Sequence, residues 1–335
     1  MMKYSGFFMK RGYYLLAGIL VLAGCSKDDA KPVDINIKSG ISAVVHNNFS
    51  LALFEYALTA TPYSDTLSAA GPYTLLGPSN DAFKAIGYPT GAAMIRARDS
   101  ITPGVPYHII RGQVKLDSLP LAFNQPVMTL NGQPLYVTHW VNTRDTAVIV
   151  NGIRVSTRDK TASNGLVNII DGLLSPIVYT NVQQAVSGDP SLSFFNAALI
   201  QSGLAPEYQS GGPYTVFAPV NSAFTNIGIP STDSIYKMDA TALQKLVKAH
   251  IAPGRSFVYD YILKADVTSN TYTEQLPGGQ RATIRLLPDI TRPGRFSGIN
   301  IQLQGAGGNG VATLPKKDVL AGNGVVHSIS RILIQ

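Results

Sequence analysis

The chain of 335 residues holds one cysteine, Cys25, so no disulfide can form within it and no thiolate cluster can gather on a metal. Its five histidines, His46, His108, His139, His250 and His327, never fall at the short spacings of a metal site. No Gly-x-Ser-x-Gly elbow is present. The glycine-rich stretch from Gly305 to Gly310 is followed by no Lys-Ser or Lys-Thr, so it reads as a flexible loop and not a phosphate cradle. Beyond residue 24 no stretch approaches 18 uninterrupted apolar residues, which argues against a spanning helix there. These absences leave no catalytic group, no metal site and no cofactor to expect. They describe a non-enzymatic chain that must be stabilised by burial alone.

What is present begins at the N-terminus. Lys3, Lys10 and Arg11 precede an apolar run of eleven residues, Tyr13 to Ala23. As a helix that run spans about 17 Å, well short of a bilayer core of about 30 Å, so it reads as the core of an export signal. It ends Leu22-Ala23-Gly24-Cys25. Small residues before a cysteine closely resemble a bacterial lipobox, whose thiol takes the lipid. Residues 1–24 are therefore expected to be a signal peptide and residues 25–38 a lipidated, palmitate-bearing tether. Loss of the three early cations lowers the formal charge from +7 to +4, too weak a balance to point to nucleic acid. Ser26 at the next position, rather than Asp, fits the outer-membrane sorting rule of enteric bacteria, and Lys27-Asp28-Asp29 resembles the surface-export signal of Bacteroidetes-type lipoproteins. The resemblance implies an outer-membrane location, lipid-anchored and facing the cell exterior.

The rest of the chain repeats itself. Gly71-Pro72-Tyr73-Thr74 returns as Gly212-Pro213-Tyr214-Thr215, an offset of 141. The same offset aligns Phe54 with Phe195, Asn80 with Asn221, and Phe83 with Phe224. His108 matches His250 at 142, Asn151-Gly152 matches Asn309-Gly310 at 158, and Asn164-Gly165 matches Asn323-Gly324 at 159. One unit is duplicated, with about sixteen residues added between His250 and Asn309 of the second copy. So long a period means two tandem globular domains, 39–178 and 179–335, joined near Ser175 to Thr180.

Each copy opens with a helical stripe, Leu51, Phe54, Ala57 and Leu58 in the first. A short strand from Tyr73 or Tyr214 follows, then a proline and Asn80 or Asn221, placed to cap a helix. The later half is strand-like. Asn131-Gly132 and Asn151-Gly152 predict hairpins, and Ile299, Ile301 and Leu303 alternate as a half-buried strand. Leu166 to Leu174 and Val325 to Ile334 are near-continuous apolar runs, as in central strands covered on both faces. The class is α+β, with helices early and antiparallel strands late.

Gly212 to Phe224 and Asn323 to Leu333 resemble the two signatures of fasciclin-like domains, and Thr74 to Phe83 and Asn164 to Asp171 are weaker versions. Tyr107-His108 resembles the Tyr-His pair found between those signatures, of which Ala249-His250 keeps the histidine. The resemblance covers nearly all of residues 40–335. It implies two tandem fasciclin-like domains, each a small β-sandwich or wedge with packed helices, serving adhesion or ligand binding. It also offers Tyr107 and His108 as part of a binding surface. The alternative is that Tyr107 packs the core and His108 caps a backbone group.

The added segment contributes Arg281, Arg285, Arg292 and Arg295, with Asp289 as the acid among them. It reads either as a basic loop that attracts anionic glycans or as a solvated hairpin. The partners expected are a membrane through the N-terminal lipid and matrix proteins or surface polysaccharide. An outer-membrane glycan- or nutrient-uptake complex, served as an accessory lipoprotein, is the alternative.

Overall fold

The computed structural model describes residues 39–143, 145–304 and 310–333. Cys25, the leader and the tether lie outside the described residues. The first copy contains seven strands: β1 Tyr73–Pro78, β2 Ile109–Arg111, β3 Ala122–Met128, β4 Pro134–Val141, β5 Thr146–Val150, β6 Ile153–Ala162 and β7 Gly165–Ile170. The second repeats them as β8 Tyr214–Pro219, β9 Ile251–Pro253, β10 Thr271–Gln275, β11 Arg281–Pro288, β12 Phe296–Leu303, β13 Lys316–Ala321 and β14 Gly324–Ile329. The first set forms one sheet in the order β2-β1-β7-β6-β5-β4-β3. The second divides into a four-stranded sheet, β13-β14-β8-β9, and a three-stranded one, β10-β11-β12. The long strand β6 joins both halves of the first sheet, and its register shifts twice on the way. Such bulges bend a strand, which is how one ribbon serves two half-sheets.

The two apolar runs are the central strands β7 and β14, buried at every position. They pair parallel to β1 and β8. The late strands pair antiparallel with one another as expected, and the parallel pairs add to that: each copy returns at its last strand to lie beside its first, and a parallel neighbour needs so long a crossover. The Asn151-Gly152 hairpin is as expected. Both residues have positive φ, 47° and 80°, and Val150 pairs with Ile153 across a two-residue turn.

Each copy has two cores. Helices such as Ala52–Thr59 and Ser193–Gln201 bury Phe54 and Phe195 against one face of the central strands. A second core lies on the other face, around Val137, Val148 and Ile170 in the first copy and Ile284, Ile299 and Ile329 in the second. Fully burying each such side chain contributes about 1.5–3 kcal/mol, and no disulfide supplements it.

Asn80 and Asn221 do not cap the helices they begin. Ser79 caps Asn80–Ala85, accepting from Ala82 N at 3.2 Å. Asn80 reaches back instead: its Oδ1 accepts from Leu53 N at 2.8 Å and its Nδ2 donates to Phe49 O at 2.6 Å. Asn221 does the same with Phe194 N and Pro190 O, both at 3.0 Å. Each thus clips an earlier helix to the strand that precedes it.

The added residues of the second copy are not one loop. They include the helix Val258–Lys264, where the first copy has a single turn, Leu116–Ser118. They also lengthen the β11–β12 hairpin and the β12–β13 connection. Arg281 and Arg285 lie on β11 itself, and Arg292 and Arg295 in the hairpin beyond it.

Candidate binding surfaces

Tyr107 and His108 are 0% and 1% exposed. The Tyr107 hydroxyl donates to Pro134 O at 2.9 Å and accepts from Asn151 Nδ2 at 2.9 Å. Burial pushes its pKa up to about 12. His108 faces Gly104 O through Nδ1 at 2.9 Å, while Leu174 N donates to its Nε2 at 3.1 Å. A carbonyl can only accept, so Nδ1 carries the proton and the ring is neutral. Burial lowers its pKa from 6.5 to about 4. His250 repeats the arrangement with Leu246 O at 2.7 Å and Leu333 N at 2.8 Å. The pair therefore holds the fold shut and presents no contact surface, a correction to the binding role that the resemblance offered.

The signature asparagines are likewise structural. Asn164 accepts from Ile41 N and donates to the Leu67 and Ala69 carbonyls. Asn323 accepts from Val182 N and donates to those of Tyr208 and Gly211. Both are wholly engaged with backbone.

Where the copies meet, the added helix Val258–Lys264 docks on the outer face of β3, β4 and β5. Phe257 packs with Tyr136 and Val325, and Leu263 with Ala147, Ile149, Phe123 and Trp140. Asp260 is 0% exposed at the centre. Its carboxylate accepts from Asn124 Nδ2 at 2.9 Å, Thr138 Oγ1 at 2.8 Å and Phe257 N at 2.8 Å. Burial raises its pKa, against those donors. Arg255 lies over the Tyr136 ring, 3.6 Å from the centroid. Asp145 pairs with both Arg154 and Arg295, and Arg154 also donates to Tyr259 Oη at 2.8 Å. Burial acts to raise the pKa of Asp145, but the two guanidiniums outweigh it and the net shift is downward. Nothing in the sequence pattern marked Asp260 or Asn124, whose mutual bond spans 136 residues.

Two adjoining hollows of about 340 and 610 Å³ flank this contact and share Ile153 and Asp318. The larger is lined by Arg154, Arg292, Arg295 and Lys317 as well as Asp171 and Asp318. Its cations are occupied: Arg154 and Arg295 by Asp145, Arg292 by Asp289 at 2.8 Å, and Lys317 by Ser297 O at 3.0 Å. The four arginines foreseen as one patch are thus separated. Arg295 belongs to the contact between copies and Arg292 to its own hairpin. Arg281 and Arg285 are exposed and form no ion pair among the described residues.

The described residues hold no group of three or more His, Cys, Asp or Glu placed to bind a metal ion. Duplicated strand order and duplicated asparagine clips define a tandem pair of one domain type. A fasciclin-domain family profile matches residues 50–176 and 190–335, and the chain belongs to that family. It is 27% identical over 269 residues to transforming growth factor-beta-induced protein ig-h3 of Sus scrofa, covering 80% of this chain and 35% of that protein. Over 90 residues it is 32% identical to the cell surface glycolipoprotein MPB83 of Mycobacterium bovis, covering 25% and 40%. A solved FAS1 domain pair from the insect cell adhesion molecule fasciclin I aligns with 86% of this chain and 98% of its own, at 20% identity and a TM-score of 0.40. The chain spans about a third of the length of ig-h3.

Proposed function

We propose that the chain is a non-enzymatic adhesion or ligand-capture lipoprotein, anchored in the outer membrane by lipid on Cys25 and exposed at the cell surface. The observation that carries the reading is the Asp260 latch, which fixes two fasciclin domains as one body. Surfaces on both domains are then presented in a constant relation, so a ligand that touches both binds without first ordering them. Many such chains on one membrane add avidity to a modest single-site affinity. The lipobox Leu22 to Cys25 supports the anchor.

The test is to display the protein on beads and probe immobilised matrix proteins and a glycan array. Binding to either is expected, and silence on both removes the reading. Lys27-Asp28-Asp29 favours a second one, an accessory role beside an outer-membrane uptake complex. Copurification of a transport barrel from native membranes would decide for it.

A further inference from the structure

The outer face of β10, β11 and β12 stands where the first copy has its docking face. Aligning the hairpins on their inward pairs, Val137 with Val150 and Ile284 with Ile301, sets Tyr136, Thr138 and Ile149 over Thr283, Arg285 and Asn300. The first set carries the added helix. The second is exposed or half-buried. Tyr136, Thr138 and Ile149 of that docking surface are thus replaced by neutral hydrogen-bonding side chains and an arginine, while Trp140 and Ala147 fall on the smaller Leu287 and Gly298, so the face is not built to receive the same helix.

Its outward residues include Thr273, Arg281, Thr283, Arg285, Asn300 and Gln302, placed side by side by the register Thr273–Thr283–Gln302 and Arg285–Asn300. No carboxylate lies among the outward residues of the three strands. Glu274 points inward, 8% exposed, and accepts from Tyr261 Oη at 2.6 Å. Gln304 Nε2 donates to Thr283 Oγ1 at 2.9 Å, which leaves that row hydrogen-bonded across the sheet. Arg281 and Arg285, four residues apart on one strand, are separated by about 13 Å. A single small anion cannot bridge that distance.

We propose that this face binds an extended anionic polysaccharide, one bearing uronate or sulfate groups along its length. Arg281 and Arg285 would each take an acidic group through the guanidinium fork, and the threonine and amide side chains between them would meet sugar hydroxyls. The lack of a carboxylate among these outward residues adds charge complementarity along the strands. No aromatic ring stands among the outward residues of the three strands to stack a base, which separates it from a single-stranded nucleic-acid platform. The inference rests on the adhesion reading and gives it a ligand class and a place.

The experiment is affinity electrophoresis of the detergent-solubilised full chain through gels containing polygalacturonate, neutral dextran, polyglutamate or single-stranded DNA. Retardation by polygalacturonate and not by dextran is expected, weakening as salt is raised. The double substitution Arg281→Gln/Arg285→Gln should weaken it about tenfold or more with an unchanged melting temperature. A matched loss of charge elsewhere, Lys237→Gln/Lys248→Gln, should leave it in place. Equal retardation of the arginine variant and the parent overturns the proposal, as does retention by polyglutamate or DNA as strong as by polygalacturonate. If the arginine variant on beads still holds matrix proteins while its polygalacturonate binding equals the parent's, this inference falls and adhesion stands.

Discussion

The outer faces of β3–β5 and of β10–β12 are the same surface built twice and put to opposite uses. In the first copy Tyr136, Thr138, Trp140, Ala147 and Ile149 receive the helix Val258–Lys264 and the buried carboxylate of Asp260. In the second, Arg285 is exposed and Thr283 and Asn300 are half-buried. Most inward residues of both sheets are aliphatic, because each packs the core of its own copy, although Tyr272 and Glu274 also face inward in the second. The docking element differs as well: the second copy has a helix where the first has one turn. One copy gained the plug, the other kept an apolar socket, and the remaining socket became polar.

The largest way to break this asymmetry is Asp260→Ala. Asn124 Nδ2, Thr138 Oγ1 and Phe257 N would lose their shared acceptor in a site closed to water. Each buried donor left without an acceptor costs about 1–3 kcal/mol, and two or more are stranded together here. Two of the three donors belong to the first copy's docking face, so the loss falls on the coupling between copies. Calorimetry should show one cooperative transition for the parent and two for the variant. A single transition shifted by less than about 1 °C would show that the latch does not couple the domains.

Much of the fold was legible in the sequence, and the reason differs from residue to residue. Asn151-Gly152 announced its hairpin because a turn needing two positive φ angles admits few residue pairs. The repeat was legible because the asparagine clips recur at fixed offsets. Their targets were not: Asn80 reads as a cap for the helix it starts, and the bond to Leu53 N closes over 27 residues that pattern does not span. Tyr107 and His108 were legible as a pair, but burial is a property of the assembled core. The four arginines were visible as a cluster in sequence; a hairpin then separated them, because strand alternation and the Asp145 pairing send neighbours to different surfaces.

A middle-sized test concerns Tyr107, whose counterpart in the second copy is Ala249. Tyr107→Phe keeps the ring in place and removes the hydroxyl that accepts from Asn151 Nδ2 and donates to Pro134 O. A buried donor left unpaired costs about 1–3 kcal/mol. The urea midpoint should fall by a corresponding amount, while binding to matrix proteins and polygalacturonate stays as in the parent. Lost binding with an unmoved midpoint would return Tyr107 to the candidate contact residues and undo its assignment to the core.

The smallest effect at neutral pH, and the sharpest on the comparison, comes from His327→Asn. The first copy already has Asn168 at this place, with Asp159 N donating to its Oδ1 at 2.9 Å, as Asp318 N donates to His327 Nδ1 at 3.0 Å. Asparagine should therefore keep that bond and lose the one from Nε2 to Ser256 O, together with the stack on Phe217, at about 1–2 kcal/mol. Acid changes the balance. Burial holds His327 near pKa 4 in the folded chain, so below 6.5 the unfolded chain takes up a proton that the folded one refuses. The stability it contributes is complete above pH 6.5 and drains as pH falls towards 4, by up to about 3 kcal/mol. Asp318 runs the other way: burial raises it from 3.8 to about 6, so the folded chain gains as pH falls through that window. His327→Asn removes the first slope and leaves the second. The variant's melting temperature should fall less steeply than the parent's between pH 7 and 4.5, closing or reversing the neutral-pH gap. Two curves that stay parallel across that range would mean that His327 is not held neutral by the fold, and that the two copies solve this buried position in different ways.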